Sequence, residues 1–224
     1  SHATYSKRTM ANDVAAVMSN LGHEKFWVCA HDRGGRVAHR LGLDHPERVH
    51  AMTILDIAPT REMYAATDTA FASAYWHWFF LIQPDPVPED IIAADPDTFW
   101  QHKCINQAKG ENPFAPEALE EYLHYHRDPA SIHAMCEDYR AAASIDQVHD
   151  KDDQGKKLSM PIQTLWGDKG VIEAQFDALA LWRQRAQSVV GQALPGTHYF
   201  AEEIPERISQ EMLSFFETVQ GAGR

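Results

Sequence analysis

Residues 30–36 read Ala-His-Asp-Arg-Gly-Gly-Arg, and this stretch carries the chain's clearest chemical signal. A short apolar run, Phe26–Ala30, precedes it and predicts a buried strand. Val37–Leu43 follows and predicts a helix. Small residues around the junction (Ala30, Gly34, Gly35) allow a sharp strand-to-helix turn that pushes Asp32 out at its tip, as in a nucleophile elbow. A serine at such a tip attacks carbonyl carbon. A carboxylate is suited instead to displacement at saturated carbon, leaving an alkyl ester that activated water then cleaves. Carbon–halogen bonds and epoxides both fit that scheme. Arg33 and Arg36 are three apart, so both can project from one side of the helix start. Two guanidinium groups beside the nucleophile suggest a carboxylate substrate held by charge-assisted hydrogen bonds. An ordinary turn with two surface arginines would explain the glycines but not the rest of this set.

The elements around this turn bound the fold. A chain of 224 residues can bury a sizeable core as one domain, with or without an insertion. The net charge of −12 disfavours nucleic acid and anionic membranes as partners, so an anionic substrate would need a locally basic pocket. Cys29, Cys104 and Cys136 have no framework spacing and read as reduced thiols of a cytoplasmic protein. No apolar run reaches the length of a membrane span, and no signal peptide opens the chain.

Apolar residues at helical spacing over 9–21, with Gly22 as a stop, predict a first helix. After the elbow, Val49–Ile57 predicts a second buried strand, and strand–helix–strand makes a parallel crossover. Residues 60 to about 155 differ in character, being rich in aromatic residues, His, Pro and Asp. Helices are expected at Met63–Phe80, Pro96–Ala108, Pro116–His126 and Ser131–Ala143, with Pro84–Pro88 as a rigid loop. The α/β pattern returns with a strand at Pro161–Trp166, a helix at Phe176–Ala186, a strand at Val189–Leu194 and a helix at Pro205–Val219. The expected division is an α/β core from 1–58 and 157–224 with a helical cap from 59–156.

Five motifs in order resemble the fluoroacetate (haloacetate) dehalogenases of the α/β-hydrolase superfamily. They are Ala30–Arg36, Leu-Asp-Ile-Ala-Pro-Thr (55–60), Tyr-Trp-His-Trp (75–78), Met-Cys-Glu-Asp-Tyr-Arg-Ala (135–141) and Gly-Thr-His-Tyr-Phe (196–200). The resemblance spans essentially the whole chain. It implies an α/β-hydrolase fold with a mostly parallel sheet and an inserted helical cap. Relatives carry more strands before the elbow. On the order of 70–80 residues are therefore expected to be absent, so the sheet should be N-terminally incomplete with Phe26–His31 at an exposed edge. The missing part would hold the loop that donates a second oxyanion N–H, beside the backbone N–H of Arg33.

The same resemblance implies the catalytic set. Asp32 would be the nucleophile, His198 the general base and Asp56 the acid that orients His198. Many relatives place this acid three residues beyond a Trp-Gly pair, but here that position is Gly170. Asp168 is close yet off the spacing, whereas Asp56 ends a buried strand where an unpaired carboxylate would be costly. His77, Trp78 and Tyr139 would donate hydrogen bonds to the departing halide. Locally, Tyr75–Phe80 could equally be an aromatic core helix. Arg33 and Arg36 would bind the substrate carboxylate. No cofactor is expected. His124-Tyr125-His126 and His102-Lys103-Cys104 do not form a zinc pattern, and no phosphate loop is present. The expected activity is hydrolysis of small 2-haloacids to 2-hydroxyacids by a cytoplasmic homodimer. Epoxide hydrolysis with the same Asp/His/Asp set is the nearest alternative, and a catalytically inactive hydrolase-like binding protein is the other.

Overall fold

The structure, a computed structural model, describes residues 2–105, 107–109 and 112–222. Its centre is a parallel sheet of four strands: β1 (Phe26–His31), β2 (Val49–Leu55), β3 (Ile162–Gly167) and β4 (Val189–Leu194), lying side by side in that order. Apolar residues alternate between its faces, as the two-residue repeat of a strand requires. Met52, Ile54 and Ile162 face α1 (Lys7–Asn20) and α2 (Arg33–Asp44), while Leu55, Leu165 and Leu194 pack on the opposite side against Phe200 and Ile208. Gly35 lets α2 sit close on β2, since a Cβ there would lie 2.6 Å from the Ile57 side chain. Among the described residues β1 is an edge strand, with Cys29 exposed.

Between β2 and β3 the described chain is helical: α3 (Thr60–Ala65), α4 (Thr69–Ala74), α5 (Trp76–Leu81), α6 (Val87–Ala94), α7 (Pro96–Trp100), α8 (Pro116–His126), α9 (Pro129–Ala143) and α10 (Ile145–Asp152). After β3 come α11 (Val171–Gln175), α12 (Ala178–Arg185), α13 (Phe200–Glu203) and α14 (Pro205–Ala222). Several boundaries differ from the sequence-based expectation. Met63–Phe80 is three short helices, broken where Asp68 turns back to cap Phe71 N–H. Val87 and Pro88 open α6 rather than extending a loop, because proline is tolerated in a helix's first turn. Beyond Trp100 the chain widens into a π turn over Gln101–Ile105, so no single helix spans Pro96–Ala108, and residue 106 of that range lies outside the described residues. Buried ion pairs fasten this block to the first two helices. Lys7 of α1 contacts Asp138 of α9 and Asp146 of α10, and Arg40 of α2 contacts Asp150 and Asp153.

Candidate active site

The carboxyl ends of the strands converge on one place. The residue after β1, Asp32, donates its N–H to Leu55 O (3.1 Å). The residue after β2, Asp56, donates to Leu165 O (2.8 Å), and the residue after β3, Asp168, donates to Leu194 O (2.9 Å). Three neighbouring strands thus each end on an aspartate at the edge where parallel α/β sheets bind ligands. Asp32 and Asp56 both adopt positive φ, 48° and 46°, an unfavourable backbone state for a non-glycine residue of the kind that clusters at functional sites.

His198 follows β4 and lies between two of these carboxylates. Its Nδ1 donates to Asp56 Oδ2 at 2.6 Å, and its Nε2 is 3.8 Å from Asp32 Oδ2. Asp56 is fully buried, and its other oxygen accepts Gly167 N–H at 3.0 Å, so the carboxylate is held from two sides. Asp168 does something different: it accepts Gly196 N–H at 3.0 Å and braces the loop that presents His198. Gly170 lies beside the Asp56 carboxylate, at 3.4 Å from a Cβ built there. Burial by itself would lower the His198 pKa, but the flanking Asp32 and Asp56 outweigh it and push the imidazole up to about 10. Burial would likewise raise Asp32, but His198, Arg36 and His31 hold its carboxyl well below the usual range. The site therefore rests as an imidazolium between two carboxylates. His31, not foreseen from sequence, donates its Nε2–H to the His198 carbonyl at 2.8 Å, and its ring lies tilted against that of His198 at 4.7 Å.

Arg36, His77, Trp78 and Tyr139 come together from α2, α5 and α9. The Arg36 guanidinium lies 4.1 Å over the Trp78 ring and 5.8 Å from Tyr139, whose ring meets His77 edge-on at 5.9 Å. Arg36 is only 4% exposed, yet none of its three guanidinium nitrogens has a hydrogen-bond partner among the described residues, and His77 Nδ1 is equally bare. Burial, reinforced by Lys103, pushes His77 well down, so it is a neutral donor. Arg33 differs from Arg36: its Nη1 already donates to Asp138 at 2.9 Å and its side chain is 41% exposed. Of the other titratable clusters, Asp85, Glu89 and His133 bring three potential metal-ligand atoms within 4.8 Å of one another. Glu89 is already engaged there by a two-pronged Arg140 contact at 2.6 and 2.9 Å.

Comparison with known proteins agrees with this architecture. The family model for the alpha/beta hydrolase fold matches residues 1–205. A fluoroacetate dehalogenase from Burkholderia sp is 44% identical over 217 residues, covering 95% of this chain and 71% of that protein. A soluble epoxide hydrolase from Corynebacterium sp. (strain C12) is 28% identical, covering 95% of this chain and 74% of that protein. A structure from Nostoc sp PCC 7120, whose assignment as an α/β hydrolase is itself provisional, superposes with a TM-score of 0.92 at 53% identity, covering 96% of this chain and 74% of that one. On this evidence the chain belongs to the α/β-hydrolase family and, within it, to the haloacetate dehalogenases.

Proposed function

We propose that this protein hydrolyses small 2-haloacids to 2-hydroxyacids, with the helical block 59–156 acting as the cap that completes the pocket. The observation that carries the reading is Arg36, a buried guanidinium whose nitrogens have no hydrogen-bond partner among the described residues. A cation left bare in a low-dielectric interior costs several kcal/mol. A carboxylate bound against it would remove that cost and anchor the substrate beside Asp32. Arg33, on the same side of α2, would assist with the nitrogens that Asp138 leaves free.

An oxygen of Asp32 attacks the halogen-bearing carbon. The carbon–halogen bond breaks, and the halide leaves with the bonding pair toward His77, Trp78 and Tyr139. Held geometry supplies much of the rate here, roughly 7–11 kcal/mol in favourable cases. The ester formed on Asp32 is neutral, so one of the two charges that keep His198 protonated is gone. The imidazole then sheds its proton and becomes a base. It takes a proton from water, hydroxide adds to the ester carbonyl of Asp32, and the developing oxyanion faces the Arg33 backbone N–H. On collapse the bond from the carbonyl carbon to the alkyl oxygen breaks, that oxygen takes a proton from His198, and His198 regains one from the added hydroxyl. The hydroxyacid leaves and the Asp32 carboxylate is restored, while Asp56 keeps His198 in the correct tautomer throughout.

Halide release from chloroacetate and fluoroacetate tests the reading directly. Asp32→Asn should release none. His198→Asn should form the ester but not cleave it, giving an adduct visible by mass, and a variant that shows neither adduct nor halide counts against the two-step scheme. Epoxide opening is the second reading, supported by the buried, unpartnered Tyr64 hydroxyl, whose ring lies 4.9 Å from Trp78 next to Tyr139. A neutral epoxide has no use for Arg36, which ranks it second. Diol formation from a small epoxide in the absence of halide release would reverse that order.

A further inference from the structure

Negative side chains predominate in the chain, with 32 Asp and Glu against 20 Lys and Arg. One cavity runs against that balance. It encloses about 260 Å³ between α4, the π turn after α7 and the loop after β3. Lys103, Lys109, Lys169 and His102 line it, His198 forms part of its wall, and among the described residues no aspartate or glutamate does. Lys103 and Lys109 come from the segment after α7, and Lys169 from the loop after β3. None forms an ion pair among the described residues; Lys103 Nζ reaches only Cys104 Sγ, at 3.8 Å. The charge of Lys103 is felt as far inside as His77. The larger cavity of about 630 Å³ that reaches Asp32 from the α1 side has the opposite character. There Asp32 and Asp138 oppose one guanidinium, that of Arg33, which Asp138 already engages.

We propose that the lysine-lined cavity over His198 is an anion-collecting vestibule through which small carboxylates reach the catalytic cleft. This rests on the haloacid reading for its substrate but not for its physics. Unpaired like charges around a concave mouth raise the local concentration of anions and speed their association. A unit charge some 10 Å from the entering anion in water changes occupancy roughly twofold. Removing two lysines should therefore act on the order of fourfold.

The test uses the full chain, with Lys103→Gln, Lys169→Gln and the double variant. Calorimetry measures binding of glycolate and of its neutral counterpart glycolamide, at low salt and at 1 M salt, where the Debye length is about 3 Å. The expected result is roughly fourfold weaker glycolate binding by the double variant at low salt, no difference at high salt, and unchanged glycolamide binding. Lys→Arg at both positions should restore glycolate binding. Equal glycolate binding by wild type and double variant overturns the vestibule, as does a parallel loss for glycolamide or an absence of glycolate binding to the wild type. Halide release is scored separately. Lysine-dependent glycolate binding in a chain that releases no halide would uphold the vestibule and sink the dehalogenase chemistry.

Discussion

Replacing Asp32 by Asn should lower the pKa of His198 by about three units. The two groups are 3.8 Å apart. At an effective dielectric constant near 20, a unit charge at that distance contributes about 4 kcal/mol, equivalent to about 3 pKa units. The imidazole, held up to about 10 by Asp32 and Asp56 together, should then titrate well below that with Asp56 alone. Removing a negative neighbour disfavours the imidazolium, so the sign is downward. Proton NMR of the imidazole Cε1–H reads this directly, with His198→Gln identifying the resonance among 13 histidines. The same neutralisation would accompany the proposed esterification of Asp32. Single-turnover ester hydrolysis should consequently rise with pH through the lowered His198 pKa, while ester formation stays flat over that range, because the Asp32 carboxyl is held well below the usual range. A His198 signal in Asp32→Asn that still titrates within about one unit of its wild-type value would refute the reasoning. So would a wild-type His198 titrating near its unperturbed value.

Other perturbations separate the roles of neighbouring groups. Arg36→Leu should reduce kcat/KM for chloroacetate by 2–5 kcal/mol, roughly 30- to several-thousand-fold. Because it removes a buried charge that has no hydrogen-bond partner among the described residues, at the loss of its contact with Trp78, the free protein should melt within a few degrees of the wild type; steady-state kinetics and calorimetry check the two halves. Gly167→Ala should cost about 1–3 kcal/mol of stability. Its Cβ would fall on the Thr197 carbonyl and within 2.6 Å of Gly196 O, so the His198 loop must shift and kcat should drop on the order of 100-fold. Asp56→Asn should lower turnover by about 10⁴. Adding Gly170→Asp should recover at least tenfold of that, since a side chain there starts beside the vacated carboxylate position; no recovery would show that the acid cannot be relocated.

Much of the sheet was legible from local pattern. β4 and α8 occur at the expected residues because each is a compact apolar or periodic segment between clear breakers. The elbow was legible because its constraints are local: small residues around one protruding carboxylate. α10 was not foreseen. Ile145–Asp152 has only two apolar residues, and part of what anchors it is the ion pair from Arg40, far away in sequence. Arg33 and Arg36 look equivalent in the chain, yet only the fold brings Asp138 to Arg33 and leaves Arg36 bare. His31 was overlooked beside Asp32 because its contact, the carbonyl of His198, comes from the other end of the chain. The three vestibule lysines share no motif at all.

The buried ion pairs between α1, α2, α9 and α10 have a mechanical consequence. Asp138, gripped by Lys7 and Arg33, immediately precedes Tyr139, while Arg40 ties the C-terminal half of α2 to Asp150 and Asp153. Tyr139, one of the side chains proposed to receive the halide, and the two arginines proposed to hold the carboxylate are thereby mounted on one stiff frame. The frame works as a fixed gauge: the span from carboxylate anchor to leaving group is set when the protein folds, not when it closes on a ligand. Such a gauge measures the distance between the two ends of a substrate, so a shift toward longer acids would come from changing the side chains at its jaws, with the frame itself left intact.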